Sequence, residues 1–331
     1  GKTGLKVSAV GFGGIPIQRI DARGTRALME RLVEKGVNYI DTARGYTVSE
    51  SYLGEALSGG LREKFILATK SMSRGYADMA RDIGISLSNL RTDYIDLYQL
   101  HNIKSDADFE LAFSAEGAVA AIQDAIRAGK VGHLGATAHS VDSFERLLSY
   151  PEIETIMFPY NIVERQGEEL IHKCREKNIG FIDMKPLAGG AIEDGRLALR
   201  FVCANPDVTV VIPGMYDVSE IEKNMEAVEA AEPLTEEELA AMEQVRKQLG
   251  TNFCRRCNYC QPCTAGINIS GCFLFQGYLD RYGLGDWAKD RYNAMPVKAS
   301  ACVDCGACET RCPYNLPIRD MLKKCAEEFG E

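Results

Sequence analysis

Over residues 1–230, short apolar runs rich in β-branched and aromatic residues alternate with segments of helical spacing. The runs predict strands at "KVSAVGFG" (6–13), "VNYIDTA" (37–43), "KFILATK" (64–70) and "DYIDLYQLH" (93–101). Four more follow at "VGHLGAT" (131–137), "TIMFPYN" (155–161), "GFIDMKP" (180–186) and "VTVVIPG" (208–214). Between them, Leu28, Leu32 and Val33 fall on one face of "TRALMERLVEKG", and Gly36 supplies the stop. Val119, Ile122 and Ile126 do the same in "EGAVAAIQDAIRAGK". Eight strand–helix units in about 230 residues are what a closed (β/α)8 TIM barrel requires. An open doubly wound sheet shares the alternation. No G-x-G-x-x-G opens a helix after any of these strands, which weakens the dinucleotide-binding form of that rival.

The alternation ends in "EPLTEEELAAMEQVRKQLG", where Thr235 and Glu238 have capping-box spacing and Gly250 closes the helix. Beyond it the pattern changes. Of 12 cysteines, eight lie in two runs, "CRRCNYCQPC" (254–263) and "CVDCGACETRCP" (302–313). Cys254, Cys257, Cys260 and Cys263 form three consecutive C-x-x-C steps, which hold thiolates on one tight loop. Cys302, Cys305, Cys308 and Cys312 end in C-x3-C-P, the spacing of bacterial ferredoxins, in which the fourth cysteine ligates the other cluster. On that precedent Cys254, Cys257 and Cys260 pair with Cys312, and Cys302, Cys305 and Cys308 pair with Cys263. Two structural Zn(Cys)4 sites are the rival, since tetrahedral sulfur suits zinc. Zinc sites usually join two C-x-x-C knuckles, whereas each run here carries four closely spaced thiols, which favours two [4Fe-4S] clusters. Cys174 and Cys203 read as buried apolar residues, and Cys272 and Cys325 lie off the motif spacing. The boundary therefore falls near 250, with a barrel over 1–250 and a small, mostly helical iron–sulfur domain over 251–331.

Composition narrows the class. Hydrophobic content of 46% and charged content of 26% are those of a globular chain. The net charge of -9 argues against nucleic acid as a partner. The opening "GKTGLKVSAV" has no basic-then-apolar signal segment, and no run reaches the length of a membrane span. A cytoplasmic location is expected, where grouped cysteines read as metal ligands before disulfides.

Chemistry gathers at the strand ends. Asp41 and Tyr46 follow the second strand, Lys70 ends the third and His101 ends the fourth. Barrel enzymes collect their catalytic groups at the C-terminal ends of strands, so these residues can meet. A tyrosine titrating near 10 is a poor acid or base at neutral pH until an ammonium favours its phenolate. Lys70 can supply that charge, Asp41 can orient Lys70, and His101 can donate to a carbonyl oxygen as it gains negative charge. Each residue alone is more often structural, so the case rests on their recurrence at successive strand ends.

Together "YIDTARGYTVSE", "ILATK", "DYIDLYQLH", "MKPLAGG" and "VIPGM" resemble the aldo-keto reductase superfamily. The tail resembles the branch that carries a C-terminal helical ferredoxin-like domain with two [4Fe-4S] clusters. The resemblance implies an NAD(P)-dependent oxidoreductase that interconverts a carbonyl and an alcohol by hydride transfer. It makes Tyr46 the proton donor or acceptor, with Lys70 and Asp41 tuning it and His101 polarising the carbonyl. The cofactor site departs from the family pattern. Thr137 and Ala138 stand where Ser-Asn usually binds the carboxamide, Met157 replaces a glutamine, and Met184 replaces the tyrosine that stacks on the nicotinamide. Pro186, Leu187 and Gly189 of "PLAGG" are left for pyrophosphate, with Ile212, Gly214, Glu220 and Asn224 as further cofactor contacts. Gly214, Met215 and Glu220 replace the Lys-Ser and Arg that clasp a 2′-phosphate, which favours NAD(H) over NADP(H), unless Lys223 takes the phosphate over. The expected partners are a small carbonyl or alcohol substrate and a redox partner protein. A redox module in which the barrel is only a scaffold is the alternative, because fold alone does not establish chemistry.

Overall fold

A computed structural model describes residues 1–229, 233–249, 254, 260–280, 284–312 and 316–331. All eight predicted strands form: β1 (Phe12–Gly13), β2 (Tyr39–Asp41), β3 (Ile66–Ser71), β4 (Ile95–Leu100), β5 (Val131–Thr137), β6 (Thr155–Pro159), β7 (Gly180–Met184) and β8 (Val210–Ile212). They pair in chain order, every pair parallel. Val10 bridges Val211 and Gly13 bridges Gly214, also in parallel, which returns the last strand to the first. The unbroken order leaves no point at which the winding reverses, so the sheet is a TIM barrel and not an open doubly wound sheet.

Period-two alternation decides which side chains fill the barrel. Tyr39, Ala68, Leu97, Met157, Ile182 and Met184 meet in one buried cluster inside it. The outer helices bury the opposite faces. In the helix Ala22–Glu34, Leu28, Met29 and Leu32 are buried while Val33 is half-buried, and Gly36 takes the left-handed conformation (φ 75°) that stops the helix. In Ala118–Arg127, Val119 and Ile122 are buried and Ile126 is half-buried.

The chain divides into two compact units, one of residues 1–187 and 194–234, the other of residues 188–193 and 235–331. The second is helical. Its helix Glu236–Leu249 opens with the expected reciprocal cap, Glu238 N–H donating to Thr235 Oγ1 (3.1 Å) and Thr235 N–H to Glu238 Oε2 (3.0 Å). Gly250 and Cys257 lie outside the described residues. The helices Ile269–Asp280 and Ile318–Phe329 pack around a core that holds Cys260, Cys308 and Cys312 together with Cys272 and Cys325. Among the described residues no helix is long and apolar enough to cross a membrane.

Candidate active site and cluster site

Asp41 is the last residue of β2, and Lys70 is the fifth of six in β3. Both are almost wholly buried, at 2% and 1% exposed. The Lys70 ammonium donates to Asp41 Oδ2 and to the Thr42 carbonyl (2.8 Å), and Gln99 Nε2 donates to Asp41 Oδ1 (3.2 Å). Every oxygen of that buried carboxylate therefore has a donor, as burial of a charge requires. Burial pushes the Asp41 carboxyl up and the Lys70 ammonium down, each opposed by the charge of the other.

Tyr46 sits in the turn after β2. Its N–H donates to the Ala43 carbonyl (3.0 Å), and Arg44 N–H ties the same turn to Lys70 O on β3 (3.0 Å). These bonds hold the ring against Lys70, whose Nζ lies 4.8 Å from the ring centroid. His101 follows β4 directly, with its N–H donating to Ser71 O on β3 (2.9 Å). Its ring stands edge-on to that of Tyr46 at 6.0 Å and 90°. All four residues named from the sequence are thus brought together. Burial, with the charges of Lys70, Arg74 and Lys185, holds the His101 imidazole well below its usual range. It is neutral at pH 7 and suited to donating a hydrogen bond, not a full proton.

Several members of the site have no counterpart among the sequence candidates. Gln99 shares the inward face with Leu97 and His101, so alternation along β4 could have revealed it. Arg74 clamps the chain after β4, donating to His101 O (2.8 Å) and Asn102 O (3.0 Å). Asn102 has φ 51°, and its N–H donates to Thr137 Oγ1 (2.7 Å). His139 and Lys185 complete the rim: Lys185 Nζ lies 3.0 Å from His139 Nε2, and His139 Nδ1 lies 3.0 Å from Asn102 Oδ1.

The positions carried over for the cofactor are distributed as follows. Thr137 ends β5, buried, with its hydroxyl accepting from Asn102 and its own proton left to donate. Ala138 is buried beside it, and Met157 and Met184 point into the barrel, offering apolar contact only. Pro186 is buried and Leu187 half-buried; Ala188, Gly189 and Gly190 then run at φ 51°, 72° and 85°. Ile212 ends β8, Gly214 is exposed, and Asn224 is half-buried on the helix Val218–Glu229. Glu220 Oε2 accepts from the N–H groups of Tyr216 (2.8 Å) and Asp217 (3.1 Å), so one of its oxygens is committed to capping that helix. Lys223 is exposed, and its charge acts on Asp217.

In the helical unit, Cys263, Cys302, Cys305 and Cys308 all line one recess. Three come from the second run and one from the first. Gly306 (φ 72°) turns the chain around this recess at an angle that side-chain-bearing residues resist. Cys305 is exposed, and the Thr264 hydroxyl lies 3.1 Å from its sulfur, which helps to hold that thiol below its usual range. A donor set of four soft sulfurs fits an iron–sulfur cluster. Cys254, Cys260 and Cys312 also belong to or pack against this unit's core. Among the described residues no group of three or more His, Cys, Asp or Glu is set to hold a single metal ion. Cys174 is buried, and burial pushes its thiol up to about 12; Cys203 is half-buried, with its thiol up to about 11.

Comparison with known families agrees with both halves. Residues 9–196 match the aldo/keto reductase family, and residues 253–317 match a 4Fe-4S dicluster domain. The chain belongs to the aldo/keto reductase family of oxidoreductases and carries a C-terminal 4Fe-4S dicluster domain. It is 29% identical to L-galactose dehydrogenase of Arabidopsis thaliana over 71% of this chain and 88% of that one. Against an oxidoreductase of Schizosaccharomyces pombe the identity is 28% over 67% and 82% of the two chains. Among solved structures, an aldo-keto reductase of Bacillus halodurans in its holo form superposes with a TM-score of 0.64 at 27% identity, over 73% of this chain and 93% of that one. An aldo-keto reductase of Klebsiella pneumoniae in complex with NADPH, 24% identical, superposes with a TM-score of 0.62 over 72% and 91%.

Proposed function

We propose that the protein interconverts a carbonyl compound and its alcohol, with a nicotinamide cofactor at the C-terminal rim of the barrel and two [4Fe-4S] clusters in residues 251–331. The observation that carries this reading is the Tyr46 ring held between Lys70 at 4.8 Å and His101 at 6.0 Å, at the ends of successive strands. When bound, the nicotinamide supplies or accepts the hydride. Tyr46 gives its phenolic proton to the carbonyl oxygen in reduction and takes it back in oxidation. The Lys70 ammonium favours the phenolate that remains, and Asp41 with Gln99 fixes the ammonium in place. His101, neutral, donates to the same oxygen as negative charge develops on it. Thr137 is available to the carboxamide through its hydroxyl proton. In the helical unit, Cys263, Cys302, Cys305 and Cys308 would hold one cluster, and Cys254, Cys257, Cys260 and Cys312 would hold the other. Bound there, such clusters would supply one-electron transfer, sensing or bracing beside a two-electron hydride step. Such clusters suit a reducing compartment such as the cytoplasm.

The test is anaerobic purification with iron and sulfide analysis, followed by NADH and NADPH oxidation against a panel of aldehydes, ketones and oxo acids. Carbonyl-dependent oxidation of either cofactor by the iron-loaded protein is expected. Bound iron without turnover across the panel would instead favour a redox module on a barrel scaffold.

A further inference from the structure

Three residues at the rim are left over by the chemistry above. Lys185 follows β7 and has φ 62°, although it carries a side chain and precedes Pro186. A residue before proline is normally extended, and left-handed backbone is disfavoured for any residue with a Cβ, so the surroundings must enforce this conformation. They do so in part through Asn161, whose Nδ2 donates to the Lys185 carbonyl (3.0 Å). Strain of this kind concentrates where a side chain is aimed for function. The side chain reaches toward β5, where the Lys185 ammonium lies 3.0 Å from His139 Nε2. The ammonium can only donate, so Nε2 accepts and the imidazole proton sits on Nδ1, which donates to Asn102 Oδ1 (3.0 Å). Asn102 adjoins His101 and is itself fixed by Thr137 and Arg74. The chain of bonds therefore sets a cation on the tetrad side of the rim, near enough for its charge to act on His101.

We infer that Lys185, oriented by His139, binds the carboxylate of the substrate, which makes the substrate a small oxo acid and the product the corresponding hydroxy acid. The inference rests on the carbonyl–alcohol reading above and deepens it. An ammonium ordered in advance by an imidazole loses less freedom on meeting a carboxylate than a solvated lysine does. A carboxylate held there leaves the neighbouring carbonyl to be placed against Tyr46 and His101. Reduction then balances as oxo acid plus hydride from the reduced nicotinamide plus the Tyr46 proton, giving the hydroxy acid. The phosphates of the cofactor are a second source of negative charge. The direction of the side chain, toward His139 beside Asn102 and His101, favours the substrate.

Titration calorimetry of the full-length, iron-loaded protein with 2-oxo acids of two to six carbons, each compared with its own amide, tests the assignment. Wild type is expected to bind at least one acid about tenfold or more tightly than its amide, the value of one charge-assisted hydrogen bond. Lys185→Gln is expected to erase the preference and Lys185→Arg to keep part of it. Should Lys185→Gln fail to fold, His139→Gln, which removes the anchor and leaves the ammonium, is expected to diminish the preference. An absence of acid preference in wild type, or its persistence in the folded Lys185→Gln or His139→Gln protein, would overturn the inference. So would a loss of NADH affinity in Lys185→Gln with the acid preference intact, since that assigns the ammonium to the cofactor. NADH oxidation with the same acids is scored separately. Acid preference without turnover would uphold the subsite and refute the carbonyl–alcohol reading.

Discussion

The barrel site and the cluster domain gather functional groups in opposite ways. The barrel draws Asp41, Tyr46, Lys70, Gln99 and His101 from three strands and the turns that follow them, and parallel pairing brings residues 60 positions apart in sequence to one rim. The helical unit packs its candidate ligands into two runs, so in the proposed ligation short C-x-x-C steps would supply most of each set and only the last ligand would come from afar. The first arrangement is fixed by strand pairing and needs no metal to assemble. The second depends on thiolates that repel one another unless a cluster joins them, so its folding should be tied to metal.

The largest effect expected concerns that dependence. Cys263→Ala should lose one cluster, leaving about half the wild-type iron. Cys263→Ala with Cys305→Ala should still keep about half, because in the proposed ligation both residues serve the same cluster. Cys263→Ala with Cys260→Ala should lose nearly all of it. Iron analysis that returned the reverse pattern for the two double variants would show that each run closes its own cluster.

The next effect concerns the barrel. Lys70→Met leaves the Asp41 carboxylate buried with only Gln99 beside it. Removing one partner of a buried ion pair typically costs about 3–5 kcal/mol. A matching fall in the urea midpoint of the barrel, with bound iron unchanged, is expected. Equal stability would mean that the pair contributes little, and a parallel loss of iron would mean that the two halves do not fold separately.

Cofactor choice comes third. Gly214, Met215 and Glu220 offer a 2′-phosphate no charged donor, and Glu220 adds repulsion, so NADH should bind about tenfold or more tightly than NADPH. Fluorescence titration of both cofactors decides this. Equal affinity would point to Lys223 as the phosphate ligand.

The smallest effect is a pH dependence. His101 has a folded pKa below its unfolded one, so the unfolded chain binds the extra proton first. The stability of the neutral, buried imidazole is fully present above about 6.5 and falls as pH drops from there toward the folded value, at up to about 1.4 kcal/mol per unit. Between pH 7 and pH 5.5, wild type should lose more stability than His101→Asn. Parallel curves for the two proteins would show that His101 takes up its proton equally in both states.

Much of this was legible from the sequence, for reasons that differ between the halves. Eight strands and four tetrad residues followed from alternation and position. The first strand shrank from 6–13 to Phe12–Gly13, because Ser8 and Lys6 spend their backbone groups on the Asn38 side chain (2.7 and 2.9 Å) in place of ladder bonds. Side-chain capture of this kind has no period to read. Arg74, Asn102 and His139 were missed because loop geometry, not strand register, brings them to the rim. Lys185 stood in a quoted motif, but its left-handed backbone before a proline contradicts local preference and only tertiary context imposes it. The cysteine runs were the easiest feature to read, since their spacing is the geometry. Glu220 shows the limit of position alone, because a carboxylate expected to contact the cofactor also caps its own helix.

The most direct test of the central claim is the turnover of Tyr46→Phe on whichever carbonyl compound the wild type reduces, measured anaerobically with iron content and cofactor affinity matched. The variant keeps the ring beside Lys70 and His101 and removes only the proton. A rate lower by about 10²–10⁴-fold is the result expected for loss of a positioned acid; a rate close to wild type would contradict the account.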